Sequence, residues 1–544
     1  MKRFLCLMLI GMAAWQAAAQ DEEILRAASF LSGASSEEET DEYWISRLET
    51  CAGRRIRIND ARPRAEGLLS DYQLASLADY RSTSGDILSW EELSLVDGFS
   101  REWVQVMRPF LSLDSSRLPG ATDTARVHAT ALTRATLSTL GAKVKANGAS
   151  WRIGGSVRGK EWTCHGEFTW RGFRAVAGDY NLRLGQGLAH WSGFSMESLS
   201  TVDAFIRPAS GVTPVWSYSP ASVHRGGALG YASRHFRGTV FGAADLWGAH
   251  MDWLGRHGQI GFSALYEPME NSRWTFALDT RWNWKGSDWV AEIALRNRSL
   301  AAKLAWRRSL GPVRAAVQGR FIPSTYSAKK NGEYGLALGA SFRSEQWRTL
   351  AGKSGFGSST PVHQLSLTAD AALLPIPVTN PRRLQVRVYG VWQWQFSPAW
   401  SLDLRLTERY RNYEFPRTDL RADLRYGNGP WLSSFRLEGV HCEGFGFLNY
   451  LEGGYKGPAF SGYLRLSGFI IDRWNDRIYC YERDAPGTFS VPAYSGRGGS
   501  ISGVVSWKHR FRHVSLKAYL RAAWMARVGR TSSPTVNLQL QCDL

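Results

Sequence analysis

The sequence predicts a small all-α module followed by a large antiparallel transmembrane β-barrel. Three observations carry this. Residues 384–394 alternate, with Leu384, Val386, Val388, Trp392 and Trp394 in one phase and Gln385, Arg387 and Gln393 in the other. That period of two marks a strand with one apolar and one polar face. The same pattern returns up to the last residue, where Val536, Leu538, Leu540, Cys542 and Leu544 oppose Asn537, Gln539, Gln541 and Asp543. A strand ending the chain in lipid must be paired, and pairing with the first strand closes a barrel. The third observation is an N-terminal export signal.

Met1-Lys2-Arg3 is a basic start, Phe4 to Trp15 is uncharged, and Ala17-Ala18-Ala19 supplies the small residues of a cleavage site. The uncharged run is too short for the roughly 20 residues of a spanning helix, so 1–19 reads as a cleaved signal peptide. Beyond it no stretch is long and apolar enough for a membrane helix. The 24 tryptophans and 54 glycines suit a strand-rich membrane wall, with aromatics at the water interfaces and glycine at bends.

Lysine and arginine exceed aspartate and glutamate by 18. Such an excess suggests an anionic partner, unless wall arginines are neutralised by neighbouring carboxylates. Once Cys6 leaves with the signal, Cys51, Cys164, Cys442, Cys480 and Cys542 remain. They have no metal-ligand spacing, and an oxidising compartment would permit a disulfide such as Cys442 with Cys480, although the sequence does not choose the pairing.

Residues 20–113 form the predicted helical domain. After the acidic run 37–42, Leu68, Leu69, Tyr72, Leu74, Leu77 and Tyr80 recur at helical spacing up to Gly85. Ser89-Trp90-Glu91-Glu92 has the form of a capping box. Ser100 is placed to cap a last helix through Trp103, Val104, Val106 and Met107, closed by Pro109.

Ile56-Arg57-Ile58-Asn59-Asp60-Ala61, Leu77-Ala78-Asp79-Tyr80-Arg81, Gly85, Glu91-Glu92-Leu93 and Val96-Asp97-Gly98-Phe99 together resemble the tandem helix-hairpin-helix domain of ComEA-type competence proteins. The resemblance implies hairpins whose backbone amides hold DNA phosphates. The candidate hairpins are Gly67-Leu68-Leu69 and Gly98-Phe99-Ser100, with Arg101 after the second and Arg62 and Arg64 before the first. Each lacks the second glycine of the family pattern, which favours a protein-docking or structural role over DNA.

Residues 114–126 are a polar linker and 127–544 the barrel. At roughly ten residues per crossing plus turns, this length allows about 20–24 strands, in an even number. Expected strands are 162–172, 173–184, 226–235, 236–247, 257–267, 273–284, 287–297, 299–309, 313–322, 332–343, 346–355, 362–374, 382–396, 400–412, 418–427, 431–441, 446–456, 459–472, 497–509, 514–526 and 535–544. Two insertions, 189–225 and 473–496, are too long for turns. The first, or the helical module, could plug a wide lumen. Leu544 departs from the terminal Phe or Trp that many outer-membrane barrels present to the assembly machinery.

Gly178-Asp179-Tyr180 through Gly185-Gln186-Gly187-Leu188, and Arg477-Ile478-Tyr479 through Pro492-Ala493, resemble segments of a Bacteroidota-type family of outer-membrane β-barrel proteins with an N-terminal ComEA-like helix-hairpin-helix domain. The resemblance implies the cell outer membrane, with the N-terminal domain in the periplasm. Implied partners are outer-membrane lipid and lipopolysaccharide, the barrel-assembly machinery, and a periplasmic protein or DNA at residues 20–113.

No nucleophile and base are paired in the sequence, so no catalytic residue, metal or cofactor is expected. Gly185-Gln186-Gly187 lacks the third glycine of a nucleotide fingerprint. His224 and His235 could meet on neighbouring strands, although surface or loop histidines are the favoured reading, and Glu482 with Asp484, or Asp472 with Asp476, reads as loop carboxylates paired with Arg473, Arg477 and Arg483. The expected function is a channel or transport-type barrel for an anionic solute or polymer, its lumen lined by Arg387, Gln393, Asp403, Arg405, Lys517 and Arg521. A DNA-uptake component and a membrane-anchored scaffold for a periplasmic protein are the alternatives.

Overall fold

The computed structural model describes residues 20–544 apart from 33–43, 46, 49–50, 52–54, 61–67, 115–126, 149, 194–198, 219–222, 234, 256, 269–271, 327–331, 345–361, 375–382, 398, 458, 487, 489, 512–513 and 530–533. The signal peptide, the acidic run 37–42, Arg62, Arg64, Gly67, the linker past Asp114 and the expected strand 346–355 therefore lie outside the described residues.

The wall is a closed barrel of 24 antiparallel strands. Its seam joins Thr535–Asp543 to His128–Thr136 in the register Asn537↔Thr136 to Asp543↔Thr130. Arg134 Nε donates to Gln539 Oε1 across the seam at 2.9 Å. Four strands escaped the sequence reading: His128–Thr136, Leu140–Asn147, Trp151–Arg158 and Trp247–Leu254. The first three are rich in Ala, Gly and Thr, so their faces contrast weakly. Glu333–Arg343 pairs directly with Val362–Leu374.

The two faces of the wall separate by residue parity. In Arg273–Trp284, Trp274, Phe276, Leu278 and Trp282 are exposed, whereas Thr275, Ala277 and Asp279 are buried. In Ser287–Arg296, Trp289, Ile293 and Leu295 face out and Val290, Glu292 and Ala294 face in. A continuous apolar outer surface of this kind suits hydrocarbon, not water. Aromatic side chains stack at its rim, Trp392 on Trp394 with centroids 5.8 Å apart.

Twenty-four strands enclose a circle roughly 45 Å across, too wide for wall side chains to fill. Three segments occupy the lumen. The first is the insertion 184–223. Phe173–Tyr180 pairs with the wall strand His224–Ala232, while Tyr180–Arg183 turns inward and pairs with Gly211–Pro214. The wall beneath is small-sided: Leu182, Leu184, Leu188 and Ala189 pack on Ala277, Ala294 and Ala301, and Val202 and Phe205 on Ala316 and Ala337. Gly185-Gln186-Gly187 is an anchor. The buried Glu292 carboxylate accepts the amides of Gln186, Leu188 and Ala189 at 2.6, 3.0 and 2.7 Å.

The second segment, 472–495, enters from the same end of the barrel. Its Glu482 pairs with Arg521 at 2.5 Å, and Arg483 with Glu452 at 2.8 Å. Asp472 lies 3.8 Å from Arg497. The carboxylates thus bind mainly wall arginines, not Arg473 and Arg477 as expected, because the loop folds inward. Cys442 and Cys480 are both free thiols, so the disulfide reading is corrected. Cys480 is buried, 3.6 Å from both Arg436 Nη1 and Arg465 Nη1.

The third segment is the helical module, which enters from the opposite end, where most connections are short turns. It contains helices Gln20–Ser32, Asp71–Ser84, Trp90–Leu93 and Arg101–Met107. Ile56–Arg57 pairs in parallel with Leu111–Ser112, bringing its ends together. Buried Asn59 ties them further, donating to Ile87 O and Leu113 O and accepting from Ile87 N. The complete capping box is Ser70 with Gln73. At Ser89 only half of one forms: its hydroxyl accepts Glu92 N, but the Glu92 carboxylate reaches Leu88 N instead. Tyr481 of the second insertion joins the module's apolar core, so the two meet inside the barrel.

Removing the Glu292 charge should release the first insertion. Glu292→Gln replaces three charge-assisted acceptor bonds by weaker ones, a loss of about 3 kcal/mol. Gly185→Ala should do the same, since φ is +52° and a Cβ would lie 2.7 Å from Glu292 Cδ. Hydrogen exchange at 186–189 measures it: both variants should exchange faster there while the wall strands stay protected.

Candidate functional site within the barrel lumen

The module meets the wall through polar contacts. Glu102, at the start of helix Arg101–Met107, pairs with Arg314 of the wall. Arg314 also forks onto Asp203 of the first insertion, at 2.8 and 2.6 Å. Arg307 bridges Asp203 at 2.7 Å and Asp288 at 2.6 Å. One guanidinium thus joins module, insertion and wall. Arg343 donates to Gln105 Oε1 at 2.6 Å, Asp97 lies 3.3 Å from His257, and the Arg281 guanidinium lies over the Tyr72 ring. Deeper in, the buried Arg183 guanidinium lies 5.4 Å from the Trp44 ring centroid and 5.1 Å from that of Trp191.

Burial, and next the Asp203 carboxylate, hold the Glu102 carboxyl above its ordinary 4.5 despite Arg314. Burial acts the same way on Asp203, but Arg314 and Arg307 outweigh it and hold Asp203 below 3.8. The two carboxylates compete for one arginine, and Asp203, with a second arginine, keeps its charge more easily.

A cavity of about 590 Å³ lies between this plug and the wall. Helices Gln20–Ser32 and Arg101–Met107 contribute Arg26 and Glu102, and the insertion contributes Asp203. The wall contributes Arg343, Tyr389, Gln393, Asp403, Arg405, Arg421, Asp423 and Arg425. Signs alternate. Arg425 is 3.3 Å from Asp403, Arg421 2.7 Å from Asp423, and Arg405 3.9 Å from Glu438.

Of the expected lumen residues, Gln393, Asp403 and Arg405 line this cavity, and Arg387 lies on the same face, opposite Asp370 and Arg409. Lys517 and Arg521 belong to another sector. Lys517 pairs with Asp543 at 3.2 Å, and Arg521 holds the second insertion. The sequence reading missed Glu102, Asp203, Arg307 and Arg314, whose partners are distant in the chain.

The hairpin residues have structural partners. Leu68 and Leu69 are buried in the module core. Gly98, at φ +89°, brings its backbone against helix Asp71–Ser84, where a Cβ would lie 3.1 Å from Gln73 Cγ and Tyr72 Cδ1. Its carbonyl accepts Gln73 Nε2 at 2.9 Å. Phe99 packs edge-on to Trp103, and the Ser100 hydroxyl accepts Trp103 N at 3.1 Å. Arg101 is exposed. His224 meets His190 at 2.8 Å, not His235, whose ring contacts Leu254 O. Among the described residues no cluster of three or more His, Cys, Asp or Glu could hold a metal.

No family model and no curated protein matches the chain. Among solved structures it is similar to the P pilus usher (PapC) translocation pore, with 9% identity over 77% of this chain and 98% of that one, at a TM-score of 0.35. It is also similar to the outer membrane protein opdK from Pseudomonas aeruginosa, with 10% identity, 77% and 98% coverage and a TM-score of 0.31. OccD1 (OprD) overlaps with 7% identity, 78% and 95% coverage and a TM-score of 0.28.

Docking of the module should depend on pH through Glu102. A carboxyl raised in the docked state binds its proton more tightly docked than free, so docking strengthens as pH falls from neutral toward that raised value. Asp203 is depressed; its contribution holds above 3.8 and is lost as pH falls below that. Protection of residues 101–107 from hydrogen exchange should therefore rise on mild acidification. Glu102→Gln should remove the rise, and an unchanged pH response in that variant would contradict the assignment.

Proposed function

We propose that this protein is an outer-membrane transport barrel whose lumen is gated by its own N-terminal module and carries an anionic solute. The apolar outer belt, closed wall and export signal support the location. The short-turn end, which receives the module, is then the periplasmic side, since such barrels keep short turns there. One observation carries the gate. The core of the module is its own apart from Tyr481 of the second insertion, while its contacts with the wall are dominated by ion pairs and hydrogen bonds such as Glu102–Arg314 and Gln105–Arg343. A polar interface can separate and rehydrate at low cost, unlike a packed apolar one. The cavity beside the module is the part of the route left open with the module seated.

Conductance across planar bilayers tests the gate. The full chain should conduct weakly, and Arg314→Gln, which removes the shared guanidinium, should raise the open fraction several-fold. Equal, negligible conductance in both would favour a scaffold.

The ComEA-like reading extends to fold. The second hairpin lies against the wall, with Asp97 beside His257 and Tyr72 under Arg281, which supports protein docking over DNA binding. The full chain titrated with duplex DNA should show no affinity that falls steeply with salt; a strong salt slope would restore the DNA-uptake reading.

A further inference from the structure

We propose a binding site for a polyvalent oxyanion, a phosphate or polycarboxylate, on the lumen wall at Arg387, Arg409 and Arg417. It rests on reading the lumen as a path for anions. The three residues lie on adjacent strands, Arg383–Gln395, Trp400–Arg411 and Arg417–Asn428, in direct register: Arg387 opposite Arg409, and Arg409 opposite Arg417. Directly opposed residues on one face of a sheet have Cβ atoms about 5 Å apart, and like charges there repel. The face is the inner one. Arg405 and Arg421, in the same phase, line the cavity, while Leu406, Tyr410 and Leu420 of the other phase are exposed.

The outer two arginines are committed elsewhere. Arg417 donates to Asp419 at 3.0 Å and to the carbonyls of Asn475 and Arg477 in the second insertion, at 2.7 and 3.1 Å. Arg387 faces Asp370, which already accepts Arg320 at 2.6 Å. Arg411, two residues on, holds Gln385 and Glu414. Arg409, half-buried between them, makes no hydrogen bond or ion pair among the described residues.

At several other places in the lumen a buried guanidinium is placed beside a carboxylate: Arg421 and Arg436 on Asp423, Arg465 on Glu452, Arg320 on Glu333 and Asp370. Arg409 has no such contact although arginines stand opposite it on both sides, and the inward carboxylate of the next strand, Asp419, stands opposite Thr407 and accepts Arg417. An oxyanion with several oxygens resolves both defects, accepting from Arg409 while screening it from its neighbours. The site lies toward the end where the insertions enter. It is four residues, roughly 13 Å, along the strand from Arg405 and the cavity.

The test is calorimetry and thermal melting of the purified full chain with inorganic phosphate, citrate or chloride at constant ionic strength. Phosphate, citrate or both should bind and raise the melting temperature where chloride does not, the tighter of the two identifying the anion class. Arg409→Gln should weaken that binding at least tenfold, while Arg308→Gln, in the outer phase of its strand, should not. In anion-poor buffer Arg409→Gln should melt no lower than the wild type, because it removes a repulsion; a folding defect would lower it. Binding in Arg409→Gln within threefold of the wild type, or no preference over chloride, overturns the site. Conductance separates this from the transport reading: anion binding without conductance keeps the site and removes the channel, and conductance without anion binding does the reverse.

Discussion

Closure of the wall is the constraint on which the rest depends. In hydrocarbon every strand must be paired on both edges, so the last strand returns to the first. With 24 strands the resulting ring is far wider than its side chains can fill. The interior must then hold water or polypeptide, and this chain supplies polypeptide from both ends. The wall is adapted to its contents sector by sector: alanines face in where the first insertion packs, arginines and carboxylates where the module and the second insertion dock.

Charge follows the same division. The basic excess of the chain suggests a lumen that attracts anions everywhere, but the inward arginines are largely matched. Asp423 serves two guanidiniums, Glu452 two, and Asp203 two, at distances of 2.6 to 2.8 Å. Breaking one such buried pair leaves a stranded charge, so the network fixes where the inserted segments sit more than it contributes net stability. A lumen balanced in this way does not concentrate anions generally. It leaves selectivity to the few positions where matching fails.

Much of the wall was legible because lipid enforces a period of two: one phase must be apolar whatever the other does. The strands at 128–158 were harder to see because Ala, Gly and Thr satisfy both faces. The expected strand 236–247 overran the end of Phe236–Ala243 and left Trp247–Leu254 unassigned. The interior was scarcely legible. Gly185-Gln186-Gly187 stood out as glycine-rich, yet its partner Glu292 lies over a hundred residues away, and Glu102 and Arg314 are 212 apart. Nothing local distinguishes such a glutamate from a solvated one. The second-hairpin glycine was legible as a close approach, but its contact is with Gln73 and Tyr72 of the same module.

The row at Arg387, Arg409 and Arg417 lies between these cases. The alternation that places Arg405 in the lumen also places Arg409 there, four residues later on the same strand. Which arginines oppose it depends on strand register, which alternation alone leaves open. A shift of one residue would set Arg409 beside Val386 or Val388 of the neighbouring strand and turn one set of polar side chains into lipid, a cost the apolar outer rows forbid. A shift of two keeps every side chain on its proper face and would set Asp419, which now stands opposite Thr407 and accepts Arg417, directly opposite Arg409. The repulsion in this row is therefore held in place not by the alternation of faces but by contacts that fix the register, such as those of Arg417 with the carbonyls of Asn475 and Arg477.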